Sequence, residues 1–220
     1  MTHFFRKTLL SASVSLAALI AAQAASAQEA VFVMATNEVG APTYNPIKAT
    51  MLNTATGLIF DRLVSQAADL SYHPWLAESW EEAPDGMSWT FHLKQGVTFH
   101  NGEPFNAEAV KAWLELFKAA EGENAYMAEA IASVEVVDDH TVKFVMSRPE
   151  PNLLYNLSAT FMGVVEPKSF AALGDDFGVT EAYGTGPFKL ESFTIGQETV
   201  LVRNEDYTWG SPLAANAGPA

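Results

Sequence analysis

Between Trp89 and Phe99 the sequence alternates apolar and polar side chains. Trp89, Phe91 and Leu93 interleave with Thr90, His92 and Lys94, and the alternation resumes at Val97 and Phe99. A period of two is the strand period, because successive side chains leave opposite faces of an extended chain. Such a run needs a partner on at least one edge and a core beneath one face. It therefore commits the chain to a sheet with a buried side. The intervening Lys94-Gln95-Gly96 is a short Gly-containing loop. It predicts a β-hairpin with Leu93 opposite Val97 and Phe91 opposite Phe99.

Helical signals alternate with strand signals along the rest of the chain. Asn106 is placed to cap a helix in which Val110, Trp113, Leu114 and Phe117 fall at i, i+3, i+4 and i+7, so that one face is buried. A second hairpin is expected from Val134 and Val136, a turn at Asp138-Asp139, then Val142, Phe144 and Met146. Pro149 and Pro151 mark a loop before a short helical stretch, and Pro167 is suited to start a helix running to Leu173. Residues 54–64 read as a helix with Leu58, Ile59, Phe60 and Leu63 on its apolar side and Asp61 and Arg62 on its wet side. Gly184-Thr185-Gly186-Pro187 is a tight crossing, followed by two strands around Gly196 that carry Phe188, Leu190, Phe193, Val200 and Val202. Residues 30–36 form an apolar run suited to a buried strand. Interspersed helices and strands imply α/β or α+β class with a mixed sheet.

The 220 residues are 49% hydrophobic and 17% charged, enough to bury a sizeable core. The formal net charge of −14 argues against nucleic acid or anionic lipid as partners. The absence of cysteine excludes disulfides, thiolate metal sites and cysteine nucleophiles, and also a lipid anchor on an exported form. Export is indicated by the first segment. Arg6 and Lys7 precede an apolar run from Leu9 to Ala22, then Ala25-Ser26-Ala27. This is the three-part secretory signal, and cleavage is expected after Ala27. Removal of two cations and no acid takes the net charge from −14 to −16.

No catalytic motif is present: there is no G-x-S-x-G, no Walker loop and no H-E-x-x-H. His92 and His100 could share a metal if carboxylates joined them, but two solvated strand residues are the simpler reading. Asp138-Asp139-His140 reads as a turn, and Glu81-Glu82 as a solvated pair pointing apart. Trp75, Trp80, Trp89 and Trp113 read as core.

The stretch from Trp75 to Trp113 closely resembles the signature region of the family 5 bacterial solute-binding proteins, with a pattern of the form LAxSW…DGxxxTFxLRxGVxFHxGxPFxAxDV. Leu76, Ala77, Ser79, Trp80, Asp85, Gly86, Thr90, Phe91, Leu93, Gly96, Val97, Phe99, His100, Gly102, Pro104, Phe105 and Ala107 fit it. Gly184-Thr185-Gly186-Pro187-Phe188 is similar to the family's G-T-G-P-[YF] element. Arg203-Asn204-Glu205-Asp206-Tyr207 is similar to R-N-x-x-Y-W, with the tryptophan one residue late at Trp209.

The resemblance implies an α/β periplasmic binding protein-like (class II) fold, its first lobe a mixed sheet with an inserted subdomain and its second lobe missing. On this reading residues 1–27 are the signal peptide and 28–220 the first lobe, with 28–72 and 188–220 as lobe core and 73–187 as the insert. It further implies the periplasmic substrate-binding component of an ABC importer, which takes peptides or similar small oligomers, passes them to the membrane permease subunits, acts as a monomer and needs no cofactor or catalytic residue. In relatives the loop near Met51–Ala55 and an aromatic after the long helix line the cleft. That makes Met51, Asn53, Thr54 and Tyr126 the expected substrate-binding residues, whereas the acid that holds a peptide amino group lies in the lobe not represented. A nickel- or metal-chelate receptor of the same family is the alternative, weakened by Gly163 standing where the nickel receptor has arginine. A secreted hydrolase with an unrecognised site is the alternative from another class.

Overall fold

The computed structural model describes Val33 and residues 42–51, 53–120 and 122–214. The chain divides into two compact units, 1–36 and 37–220, and apart from Val33 the described residues belong to the second. The expected signal segment, and the strand expected at 30–36 but for Val33, lie outside the described residues.

Helix α1 (Thr54–Ile59) is followed by strands β1 (Val64–Gln66) and β2 (Tyr72–Pro74), which pair antiparallel. Strands β3 (Ala77–Glu82), β4 (Ser88–Leu93), β5 (Ile131–Asp138) and β6 (Thr141–Met146) form one antiparallel sheet in the order β3-β4-β6-β5. Helix α2 (Ala107–Ala119) packs on β5 and β6. Helices α3 (Leu153–Ser158) and α4 (Pro167–Leu173) lead to the hairpin β7 (Phe188–Thr194) and β8 (Glu198–Arg203). Helices and strands are interspersed as the sequence implies. Among the described residues the pairings between named strands are all antiparallel.

The four-stranded sheet buries one face, as the alternation requires. Phe91 faces Val142, which faces Val136; Trp89 faces Phe144, which faces Val134. These cross-strand rows meet α2, whose Val110, Trp113, Leu114 and Phe117 are all buried. Each such side chain contributes about 1.5–3 kcal/mol by leaving water. Asn106 caps α2 by accepting from Ala109 N at 2.9 Å. Replacing it with alanine is expected to cost about 1 kcal/mol, measured by denaturant unfolding, with an unchanged midpoint as the contrary result. Pro167 opens α4 behind the Glu166 cap, and the β5–β6 and β7–β8 hairpins form around Asp139 and Gly196 as read from sequence.

Two local expectations are corrected. The strand Ser88–Leu93 does not pair with 97–99; both its edges are occupied by β3 and β6. Gly96, at φ 74°, turns the chain away, and Val97–Phe105 closes on itself through Phe99 N to Glu103 O and Phe105 N to Val97 O. Phe91, Leu93, Val97 and Phe99 nevertheless share the core, as their alternation indicates. The helix expected over 54–64 stops at Ile59. Phe60 is already extended, and Gly186 N takes the Ile59 carbonyl at 2.9 Å. Leu63, just before β1, and Val64, its first residue, enter the core instead.

Candidate functional site

The residues after α1 organise the site. Asp61 is fully buried, not on a wet face. Its carboxylate accepts from Thr185 Oγ1 at 3.1 Å, Trp209 Nε1 at 3.2 Å and Tyr207 OH at 3.3 Å. The glycine–proline crossing and the Asn204–Trp209 element thus converge on one acid. Trp209, one position late against the family pattern, is the residue that reaches it. Asn204 ties the two elements together by donating to Gly186 O at 3.1 Å. Burial pushes the Asp61 pKa up to about 7, against the lowering effect of its three donors and of Arg62.

Gly184 and Gly186 are required by the closeness of this crossing. A Cβ at 184 would lie 2.1 Å from Ile59 O, and one at 186 would lie 2.3 Å from Leu58 O. His100 locks the other side. Its backbone N donates to Gly184 O at 2.9 Å, its Nε2 donates to Gly186 O at 2.9 Å, and Nδ1 accepts from Gly184 N at 3.4 Å. This is a neutral imidazole with both ring nitrogens in use. Burial lowers its pKa to about 4. His100 is therefore not the solvated strand residue expected, whereas His92 is exposed on β4. Among the described residues no group of three His, Asp or Glu could hold a metal ion.

Beside this node is a depression of about 860 Å³. Gly57 and Leu58 of α1, Arg62, Trp75, Pro187, Phe188 and Tyr207 are among its lining residues. Arg62 stacks on Trp75, its guanidinium carbon 4.4 Å from the ring centroid. Tyr126, in a 3-10 turn at Ala125–Ala128, and Tyr155 of α3 form another part of the wall, 60% and 55% exposed. Asn156 holds that wall together by donating to Met127 O at 3.1 Å. Exposed tyrosines beside a concavity offer a stacking face and a hydroxyl to a ligand.

Of the four residues expected to bind substrate, the structure places Tyr126 on this depression. Met51, Asn53 and Thr54 sit at the start of α1, where the depression's lining does not reach. Met51 is exposed, and Asn53 is buried as the α1 cap, accepting from Thr56 N at 2.7 Å. Arg62, read from sequence as helix surface, Trp75, read as core, and Tyr155 line the depression without having been expected to bind substrate. Gly163, the position compared with the nickel receptor's arginine, backs directly onto Phe60, where a Cβ would come within 2.7 Å of Phe60 Cβ.

The profile of the bacterial extracellular solute-binding proteins, family 5 (middle), matches residues 71–217. The chain belongs to this family. Among family 5 relatives, the probable D,D-dipeptide-binding periplasmic protein DdpA of Escherichia coli K12 is 39% identical over 147 residues, 62% of this chain and 27% of that protein. The nickel-binding periplasmic protein of the same organism is 32% identical over 174 residues, 73% of this chain and 31% of that protein. Among solved structures, the binding protein MoaA of A. tumefaciens R10 with mannopinic acid superposes with a TM-score of 0.71 at 31% identity, over 79% of this chain and 37% of that one. The fold is thus the periplasmic binding protein-like α/β class. The chain spans about a third of the length of these three proteins, and the ligands in their names differ in kind.

Proposed function

We propose that the chain is the periplasmic substrate-binding component of an ABC importer, which binds peptides or similar small oligomers and hands them to the permease subunits without chemical change. The observation that carries this reading is the open depression of about 860 Å³, lined by the exposed Tyr126 and Tyr155 and by the stacked Arg62–Trp75 pair. It has the character of a recognition surface: apolar area with a few polar groups. The family membership and the dipeptide-binding relative agree with it. Residues 1–27 act as the export signal, 73–187 as a subdomain within a lobe built from 28–72 and 188–220, and Met51, Asn53 and Thr54 join Tyr126 in the full cleft. The protein works as a monomer.

The full chain is to be titrated with dipeptides and tripeptides while its melting is followed. At a ligand concentration a hundredfold above Kd, the folded state gains about 2.7 kcal/mol. That corresponds to a rise of about 5–10 °C, with every peptide recovered intact. Consumption of a peptide would replace this reading with the secreted hydrolase. Stoichiometric nickel in protein purified without chelators would replace it with the metal-chelate receptor.

A further inference from the structure

Among the residues lining the depression, Arg62 alone carries a formal charge, and it is positive in a chain of net charge −14. None of the ion pairs among the described residues involves it. Its sequence neighbour Asp61 is directed into the protein and engaged by Thr185, Tyr207 and Trp209. Arg62 Nη1 donates to Thr160 Oγ1 at 3.0 Å, and Nε is buried without a partner among the described residues. A guanidinium stacked on an indole face keeps the in-plane N–H groups not already engaged for another partner. The planar acceptor that matches such a fork is a carboxylate. The field of Asp61 reaches Arg62, but no carboxylate among the described residues touches its guanidinium, and an incoming anion in direct contact relieves the cost of holding the cation partly buried.

We propose that Arg62, held against Trp75, is the anion-recognising residue of the ligand face and binds a carboxylate of the ligand, the C-terminal carboxylate where the ligand is a peptide. The inference rests on the solute-binding reading and names its ligand class: molecules with a free carboxylate set beside a part that Tyr126 and Tyr155 can stack against. Trp75 reports occupancy directly, since its ring lies under the guanidinium.

The test uses the full chain with three probes: Ala-Ala-Ala, its C-terminal amide, and glutarate. Binding is read by tryptophan fluorescence and by melting temperature. The wild type is expected to bind the free acid at least about tenfold more tightly than the amide. Arg62→Gln is expected to bring the two within about threefold, and Arg62→Lys to keep part of the preference, because it retains charge but not the fork. Should Arg62→Gln fail to fold, Arg62→Lys carries the test through its several-fold loss of preference. Equal binding of acid and amide by the wild type, or an undiminished preference in both variants, overturns the role of Arg62 and leaves the peptide reading intact. Binding of glutarate alone, lost in Arg62→Gln, upholds Arg62 and overturns the peptide reading. Failure of all three probes on the wild type counts against both.

Discussion

Replacing Gly184 with alanine is expected to lower stability by more than about 4 kcal/mol, a loss beyond the range of ordinary substitutions. The added Cβ would lie 2.1 Å from Ile59 O and 2.6 Å from Phe60 Cδ1. The first of these is a backbone atom fixed by α1 and by its bond from Gly186 N, so rotation of a side chain cannot relieve the contact. The crossing must move away from α1. That movement loosens the bonds from His100 to Gly184 and Gly186, and the bond from Thr185 to Asp61. In a chain of this size the melting temperature should fall by more than about 8 °C. Gly196→Ala is the control. It also carries a positive φ, 73°, but has nothing within 4 Å, so it should cost only about 1 kcal/mol. A Gly184→Ala protein as stable as the Gly196→Ala protein would show that the crossing is not packed as tightly as the structure has it.

The same crossing shows where sequence patterns stop being informative. Periods of two and 3.6 report which face of an element is buried, and they placed the rows Phe91–Val142–Val136 and Trp89–Phe144–Val134 and the apolar stripe of α2 on the core side. They do not report which edge of a strand finds which partner. Leu93 and Val97 satisfy a hairpin and also satisfy two separate segments of one core, and the alternation is the same in both cases. The reading of Asp61 and Arg62 as the wet side of a helix failed for a related reason. The partners that bury Asp61 are Thr185, Tyr207 and Trp209, more than a hundred positions away. A local window holds only a charged pair between apolar residues. Phe60 and Leu63 on either side, both core residues, were the one local sign that the segment does not face water throughout. Of the candidate site, Tyr126 was accessible through the family resemblance, whereas Arg62 and Tyr155 emerge only when α1, α3 and the 3-10 turn are brought together.

Asp61 and His100 lie on either side of this crossing and are shifted in opposite senses, which predicts a pH dependence with an unusual cancellation. Asp61 rises from 3.8 to about 7, chiefly because burial disfavours its charge. The folded state therefore holds that proton where the unfolded chain has lost it. The associated stability is full below about pH 4 and is lost as pH rises towards 7; at about 1.4 kcal/mol per unit it amounts to about 4 kcal/mol. His100 falls from 6.5 to about 4, again chiefly through burial. Here the unfolded chain binds the proton that the folded state refuses. Its contribution is full above pH 6.5 and is lost as pH falls towards 4, about 3 kcal/mol. Between pH 4 and 6.5 the two proton counts offset each other, so this pair adds almost no slope to the wild type. Asp61→Asn removes one side of the balance, and its stability relative to wild type should rise with pH across that window. His100→Gln removes the other, and its relative stability should fall with rising pH. The other carboxylates titrate alike in all three proteins and cancel from the differences. Denaturant unfolding at half-unit steps from pH 4 to 7 measures both curves, and parallel curves for the two variants and the wild type would remove the buried, proton-holding Asp61 from this account.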